Sequence, residues 1–270
     1  MKKKFNSVYF ELSRPNFQSP LIRNIRKYAL FPKDNAVTST LINGYVYEPY
    51  MFDFIKDNLI DLNGTNVIEI GSNNGHFTLE FADFVGDLGK VYAFEPQRII
   101  FQQLCCNIFL NGFDNVYAYD IAIGNESGFI DLEFPDYHSQ DFVNFGNVGV
   151  VSSKNSNVIS EKVRVEKLDN FKFNNVSILK IDVQGFEPDV IEGAKETILN
   201  NRPYIFIEIE EEQLEKFGYL ETDLISKIES LGYFVRRFQI GIPYQTRNGI
   251  CLDCVCIPIE KYQSQDYIIR

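Results

Sequence analysis

Tryptophan is absent from this chain of 270 residues, histidine occurs only twice, and no long apolar run is present. A membrane-spanning helix needs about 18 or more consecutive apolar residues, so membrane insertion is not expected. The N-terminal segment Met1–Lys4 is basic like the start of a secretion signal, but Glu11 and Arg14 interrupt the sequence behind it. We therefore expect a soluble, cytoplasmic protein.

Basic residues are in the minority, with 26 Lys and Arg against 37 Asp and Glu, and the formal net charge is -11. Such a charge repels polyanions, so nucleic acid is not an expected partner. A local basic cluster is formed by Arg23, Arg26 and Lys27. We interpret this cluster as a solvated helix face rather than an anion site.

Cysteine is also scarce, and the five present are an odd set that does not fit a secreted disulfide framework. Cys251, Cys254 and Cys256 are spaced closely enough to suggest a metal site. No second cysteine pair accompanies them, and the surrounding segment alternates like a strand. We expect these cysteines to be buried strand thiols.

Strand and helix patterns alternate from about residue 46, which predicts an α/β, Rossmann-like fold with a mostly parallel sheet. The last two strands are predicted to pair antiparallel at the sheet edge. The stretch 125–168 breaks the alternation and predicts an inserted β-hairpin. We expect an N-terminal extension over 1–45 and one domain over 46–270. The predicted sheet strands are Asn66–Ile70, Lys90–Phe94, Val116–Ile123, Val176–Val183, Tyr204–Ile209, Tyr233–Ile240 and Ile250–Ile259.

The first motif with chemical content is the turn after the first of these strands. Its glycines permit a tight turn, and the following helix presents N–H groups that suit a ligand carboxylate. Glu69 is placed to hold a ligand ammonium group. A plain strand-to-helix turn is the alternative. The candidate ligand-binding residues here are Glu69, Gly71, Ser72, Asn73, Asn74 and Gly75.

The second motif is Glu95, which ends the next strand, 24 positions after Gly71. An acidic residue at this position can accept hydrogen bonds from both hydroxyls of a ribose. The same acid would serve a nicotinamide cofactor, which leaves a nicotinamide-dependent oxidoreductase open. However, Asn73 and His76 occupy the second and third glycine positions of the dinucleotide fingerprint. The spacing therefore weakens that alternative.

The third and fourth motifs lie on two later strands. Lys180 and Asp182 are two positions apart, so both side chains are expected on one side of an apolar strand. A charge there is costly unless it is paired. Glu208 ends the following apolar strand. We interpret Glu210 as part of the solvated start of the next helix. If Asp182 and Glu208 meet, they raise one another's pKa or recruit a cation. The alternative is a structural Lys–Asp pair.

Together these segments resemble the FkbM family of methyltransferases over roughly residues 44 to 258. The family usually has Asp at the position of Glu69 and Glu at the position of Gln184. The resemblance implies the seven-stranded methyltransferase sheet, S-adenosylmethionine as cofactor and O-methylation of a sugar or natural-product hydroxyl. The segments that carry it are Tyr47-Glu48, Val67–Gly75, Tyr92–Pro96, Leu168-Asp169, Leu179–Glu187, Pro203 and Glu208.

Further cofactor contacts are expected from residues near these segments. Glu48, Pro96, Ala122 and Asp182 are assigned to the cofactor, and Asp120 is expected to reach its adenine amine.

For catalysis, we expect Asp182, Glu208 or both to accept the proton, with Lys180 orienting or neutralising them. His138 is an alternative base. A divalent metal held by Asp182 and Glu208, and a non-catalytic binding module, both remain open.

The predicted insertion contains a segment, 134–145, that mixes aromatic and polar residues. Such a surface suits stacking on a sugar ring while its polar groups bond the hydroxyls. It would equally suit a hydrophobic lid on the sheet. The expected acceptor is a carbohydrate or another small molecule, and the sequence leaves the oligomeric state open.

Overall fold

The computed structural model of the protein contains a central sheet of seven strands and, among its described residues, further strands in smaller sheets. The strands are β1 Val8–Ser13, β2 Ile25–Leu30, β3 Asn66–Ile70, β4 Lys90–Phe94, β5 Val116–Tyr119, β6 Ala122–Ile123, β7 Gly128–Pro135, β8 Gly149–Val150, β9 Val158–Glu166, β10 Val176–Ile181, β11 Tyr204–Glu208, β12 Tyr233–Arg237, β13 Thr246–Arg247, β14 Ile250–Cys251 and β15 Asp253–Pro258. The structure describes residues 7–13, 25–32, 34, 37–59, 61–137, 144, 146, 149–150, 158–238, 246–247 and 250–262.

All but the last of the helices lie between strands in the chain, and a short 3-10 turn spans Leu168–Phe171. The helices are α1 Val37–Ile42, α2 Pro49–Asn58, α3 His76–Val85, α4 Arg98–Asn111, α5 Glu187–Gly193, α6 Lys195–Asn201, α7 Glu211–Glu215, α8 Glu221–Ser230 and α9 Ile259–Tyr262.

The strand order in the central sheet is β12-β15-β11-β10-β3-β4-β5. Neighbouring strands are parallel from β11 to β5, whereas β15 runs antiparallel to both β11 and β12. The antiparallel strand therefore lies one position in from the edge. This arrangement confirms the predicted α/β fold with a seven-stranded, mostly parallel sheet.

Helices cover both faces of the sheet, which explains why its strands read as continuous apolar runs. On one face, Val67, Ile178 and Phe206 pack with apolar residues of α2 and α3. On the other face, Ile68 and Leu179 pack with residues of α5, α6 and α8. The charged side chains Glu69, Lys180 and Glu208 lie at or near the carboxyl ends of their strands, where a ligand site is expected.

The predicted third strand, 116–123, is interrupted in the structure. β5 ends at Tyr119, and Ala122 and Ile123 form β6, which pairs with β9 in a second sheet. Asp120 is exposed at the break. The apolar pattern continues across it because Ile121 and Ile123, beyond the break, are also buried.

The insertion forms the second sheet, in the order β6-β9-β7-β8. β7 and β9 pair antiparallel along their lengths, which confirms the predicted hairpin. Leu132, Phe134 and Val163 bury one face of this sheet together with Ile100 of α4 and Phe31. This packing sets the inserted sheet beside the carboxyl ends of the main strands. The domain boundary at residue 46 stays a prediction.

The basic cluster near the N-terminus does not form a solvated helix face in the described residues. Arg26 and Lys27 lie on strand β2, and Arg26 is completely buried. Its guanidinium bonds Glu80, with Nε 3.1 Å from Oε1, and also Asp83. A buried charge needs such partners, and these come from α3, more than 50 residues away. Arg23 lies outside the described residues.

The cysteines of the last strand are buried thiols, as predicted. Cys254 and Cys256 are free and have no exposed surface. The side chain of Cys251 lies outside the described residues. Among the helices that the structure describes, none has the length and apolar character needed to cross a membrane.

The turn after β3 yields a stability prediction. A Cβ at Gly71 would lie 1.8 Å from the carbonyl oxygen of Asp182, and Gly71 has a φ of 85°. We expect Gly71→Ala to lower the free energy of unfolding by about 3 kcal/mol, from overpacking and left-handed strain together. Gly218→Ala is the matched control, because Gly218 has a φ of 80° and open space around it. Its cost should be about 1 kcal/mol.

Urea unfolding of the two variants measures both values. Equal losses of stability would show that the close approach at Gly71 is not a tight constraint.

Candidate active site

A cavity of about 280 Å³ opens at the carboxyl ends of β3, β4, β10 and β11. Apolar residues of the inserted sheet, including Ile130 and Leu132, form part of its wall. Most of the residues predicted from sequence line this one cavity. They are Glu69, Gly71, Ser72, Asn73, Asn74, Glu95, Pro96, Ala122, Lys180, Asp182 and Glu208.

Four predicted residues are not among those lining the cavity. Gly75 precedes α3 as its N-cap, and Glu48 precedes α2 and is buried. Asp120 is exposed at the end of β5. His138 lies outside the described residues, so the alternative base stays untested.

The glycine turn brings the first and third motifs into contact. Gly71 adopts a left-handed conformation and packs directly on the backbone carbonyl of Asp182. The amide of Asp182 also donates to the carbonyl of Ile70 at 3.0 Å. The close approach that glycine permits here is thus to the chain's own β10, which sets Asp182 beside the turn.

The N–H groups of the turn are bonded within the protein. Glu95 Oε2 accepts from the amide of Asn73 at 2.9 Å. The Asn73 side chain accepts from the amide of Asn74 at 2.7 Å, and the Asn74 side chain accepts from His76 at 3.1 Å. Side chains therefore satisfy these three amides, and the expectation that the N-terminus of the following helix receives a ligand carboxylate stays a prediction.

Glu95 links the turn to the end of β4. Its Oε1 accepts from the amide of Gln97 at 2.9 Å, while Oε2 bonds the turn. The side chain is only 4% exposed. Burial raises the pKa of Glu95 to about 7, although its two backbone donors act in the opposite direction. Each carboxylate oxygen can accept a second hydrogen bond, so Glu95 can still receive a ligand hydroxyl.

Glu69 and Lys180 are neighbours across β3 and β10. Thr78 donates its hydroxyl to Glu69. Burial raises the pKa of Glu69 to about 8, and Lys180 and Thr78 only partly offset that effect. Glu69 therefore changes from its protonated to its ionised form as the pH rises through about 8.

Lys180 is the buried cation of the site. Its Nζ lies 3.1 Å from Asp182 Oδ2 and 4.6 Å from the centre of the Phe77 ring. Burial alone would lower the pKa of Lys180, but Asp182, Glu48 and Glu69 hold that pKa above its ordinary value. Lys180 consequently stays charged and stabilises the acidic groups around it.

Asp182 and Glu208 come together as predicted, joined by Gln184. The Gln184 amide Nε2 lies 2.7 Å from Glu208 Oε2 and 3.2 Å from Asp182 Oδ1. Burial raises the pKa of Glu208 well above its usual range, and the charges of Asp182 and Asp253 raise it further. Asp182 is more open, with its side chain 33% exposed.

Asp253 was missed by the sequence reasoning. It begins β15, pairs with Glu208 in the strand register and is 3% exposed. The Tyr50 hydroxyl donates to its carboxylate. Burial raises the pKa of Asp253 to about 6, against the effects of Tyr50 and Lys180. The detectable signal was a charged residue in an otherwise apolar strand, the same signal that marked Lys180 and Glu208.

Glu48 belongs to this acidic group rather than to the cavity wall. It is 3% exposed, and its Oε2 has no hydrogen-bond partner among the residues that the structure describes. Burial raises the pKa of Glu48 well above its usual range, and Asp253 adds to that effect while Lys180 opposes it. The cofactor contact implied for Glu48 stays a prediction.

The donor set between Asp182 and Glu208 does not fit a divalent metal. Magnesium and calcium take about six to eight oxygen ligands, whereas the Gln184 amide directs N–H groups at both carboxylates. Within the described residues, no group of three or more His, Cys, Asp or Glu side chains is arranged to hold a metal ion.

The segment 134–145 is described in part. Tyr137 is buried, stacks on Phe31 and donates to Gln97 Oε1 at 3.2 Å. Asn144 lines the cavity. Residues 138–143 and residue 145 lie outside the described residues, so the choice between a sugar-binding surface and a lid stays open.

Comparison with known proteins gives relatives with methyltransferase names. NoeI, a 2-O-methyltransferase from Sinorhizobium fredii, is 25% identical over 188 residues, which cover 63% of this chain and 74% of NoeI. A methyltransferase FkbM from Methylobacillus flagellatus KT is 16% identical with a TM-score of 0.49, covering 78% of this chain and 48% of that one. This chain therefore spans about half the length of that solved chain.

A second solved structure, a SAM dependent methyltransferase from Aquifex aeolicus, is 16% identical with a TM-score of 0.42, covering 78% of this chain and 88% of that one. Residues 69–235, more than half of the chain, match the Methyltransferase FkbM domain. The matched region contains the glycine turn, Glu95, Lys180, Asp182 and Glu208. The protein is thus a methyltransferase rather than a nicotinamide-dependent oxidoreductase, and it belongs to the FkbM family.

Proposed function

We propose that this methyltransferase transfers the methyl group of S-adenosylmethionine to a hydroxyl of a sugar, a glycan or a glycosylated small molecule. The observation that carries the proposal is the convergence of two kinds of acid on one cavity. Glu95 lies at the end of β4, and Asp182 and Glu208 lie at the ends of β10 and β11. The first suits a ribose, and the others suit proton removal.

The residues of the β3 and β4 side fit the cofactor. Glu95 accepts from the ribose hydroxyls, and Glu69 holds the ammonium group of the methionine part. Pro96, Ile121 and Ala122 give the cavity an apolar wall for the adenine ring. When bound, S-adenosylmethionine supplies a methyl group on a sulfonium, which makes it an electrophile.

The residues of the β10 and β11 side serve the acceptor. A sugar hydroxyl is a weak nucleophile until a base takes its proton. Asp182 is the more open of the two acids, and Glu208 lies beside it through Gln184. Lys180 orients Asp182 and keeps its charge compensated. Transfer to an oxygen atom is supported by NoeI, which is named as a 2-O-methyltransferase.

The first functional prediction concerns cofactor binding. Glu95→Gln should weaken S-adenosylmethionine binding about tenfold or more, because hydrogen bonds to a charged group contribute about 1.5–3 kcal/mol. Glu126→Gln, at an exposed position, is the matched control and should bind as the wild type does. Isothermal titration calorimetry measures both. Unchanged affinity in Glu95→Gln would remove Glu95 from the cofactor site.

The second prediction concerns pH. Glu95 has a raised pKa of about 7, so it is protonated below that pH and ionised above it. The contribution of Glu95 to the affinity for S-adenosylmethionine should rise as the pH rises toward 7, by up to about tenfold per unit, and then level off. Glu69, with a pKa of about 8, extends the rise.

The difference between the wild-type and Glu95→Gln binding curves isolates the contribution of Glu95. The affinity difference between the two proteins should grow up to about pH 7. A difference that stays constant from pH 5 to pH 9 would contradict the assignment.

The third prediction concerns the chemical step. Asp182→Asn or Glu208→Gln should lower kcat about 10²–10⁴-fold, the usual contribution of a general base. Glu211→Gln, an exposed neighbour in sequence, should leave kcat unchanged. Methyl transfer from labelled cofactor to a panel of sugars measures the rates. If both acid variants turned over at the wild-type rate, neither residue would be the base.

A further inference from the structure

Gln184 occupies an unusual place in the backbone. It has a φ of 56°, a left-handed conformation that a residue other than glycine seldom adopts. Such a conformation costs about 1–3 kcal/mol and persists where the surroundings require it. Gln184 is followed by Gly185, which bonds Glu187 through its amide. The turn therefore aims the Gln184 side chain across the ends of β10 and β11.

The amide of Gln184 has its donors fully engaged by the two acids. A primary amide carries two N–H groups, and the Nε2 atom lies within bonding distance of Asp182 Oδ1 and Glu208 Oε2. The amide oxygen faces the other way, toward Gln213, whose Nε2 lies 3.4 Å from it. The orientation of the side chain is thus set from both ends.

The acids near Gln184 also accept hydrogen bonds from other protein groups. Lys180 bonds the second oxygen of Asp182 at 3.1 Å, and Tyr50 bonds Asp253. Adjacent carboxylates that are not compensated repel each other, and in many enzymes a divalent cation compensates them. Here the positive ends of N–H and O–H groups occupy that position.

We propose that Gln184 is a positioning residue that joins Asp182 to Glu208 in the place a divalent cation would take, and that methyl transfer by this protein needs no divalent metal. The part of the inference that concerns methyl transfer rests on the proposed function. The part that concerns the two acids rests on the hydrogen bonds alone and can be tested without an acceptor.

The inference makes Gln184→Glu an informative variant. The substitution keeps the size of the side chain, removes both N–H donors and adds a third carboxylate beside Asp182 and Glu208. Three carboxylates in one place form a site for a hard cation. The wild type should lack such a site, and the variant should gain it.

Binding of Mn²⁺ to the full chain, followed by electron paramagnetic resonance, tests the acids directly. Gln184→Glu should bind one Mn²⁺ at least tenfold more tightly than the wild type. Gln102→Glu, an exposed position on α4 with the same charge change, should match the wild type. Wild-type binding of one Mn²⁺ that is lost in Asp182→Asn would overturn the inference. Equal Mn²⁺ affinity in Gln184→Glu and the wild type would also overturn it.

Removal of divalent cations from the wild type with EDTA tests the part of the inference that concerns methyl transfer. The transfer rate should be the same in EDTA and in added Mg²⁺, and a rate that disappears in EDTA and returns with Mg²⁺ would overturn the inference. Gln184→Ala should lower kcat while the KM for the cofactor stays within about threefold. S-adenosylmethionine binding, measured separately, reports on the proposed function, so the two can fail independently.

Discussion

The packing of Gly71 on the carbonyl of Asp182 is the contact on which the rest of the site depends. It joins the turn after β3 to the end of β10, where a side chain of any size would collide with the backbone. Through it, the turn that is held by Glu95 and the carboxylate of Asp182 face one cavity. A ligand that bonds Glu95 is thereby placed within reach of the acid pair, and the distance between the two halves is set by backbone rather than by flexible side chains.

Charge balance is the second constraint. Five acids, Glu48, Glu69, Asp182, Glu208 and Asp253, surround one buried lysine, and burial raises the pKa of four of them. Ionising all of them would leave charges that Lys180 alone cannot compensate, so protons remain in the group at neutral pH. Hydrogen bonds donated by Gln184 and Tyr50 stabilise the negative charge that remains on the carboxylates. The site consequently combines an open acid, Asp182, with buried acids behind it whose pKa values are raised by burial.

Local pattern was enough to predict the elements that bear the site. The bounds of β3 and β4 match the prediction because short apolar runs are delimited by turn residues. The strand predicted over 116–123 was wrong in its extent, because the chain leaves the sheet at Asp120 and the apolar pattern carries on into the inserted sheet. The prediction that Arg26 lies on a solvated helix face was also wrong. Its partners Glu80 and Asp83 are distant in sequence, so a local pattern does not reveal them. The role of Asp253 depends on the antiparallel pairing of β15 with β11, which a local pattern does not contain.

The central claim is that one cavity holds the cofactor against Glu95 and presents its reactive end to Asp182 and Glu208. The most direct measurement is a crystal structure with S-adenosylhomocysteine, the stable product, and a soaked sugar. The account predicts both ribose hydroxyls within about 2.5–3.2 Å of the Glu95 carboxylate, with the sulfur facing a sugar hydroxyl that lies beside Asp182. A ligand bound outside this cavity, or one whose sulfur points away from the acid pair, would contradict the account.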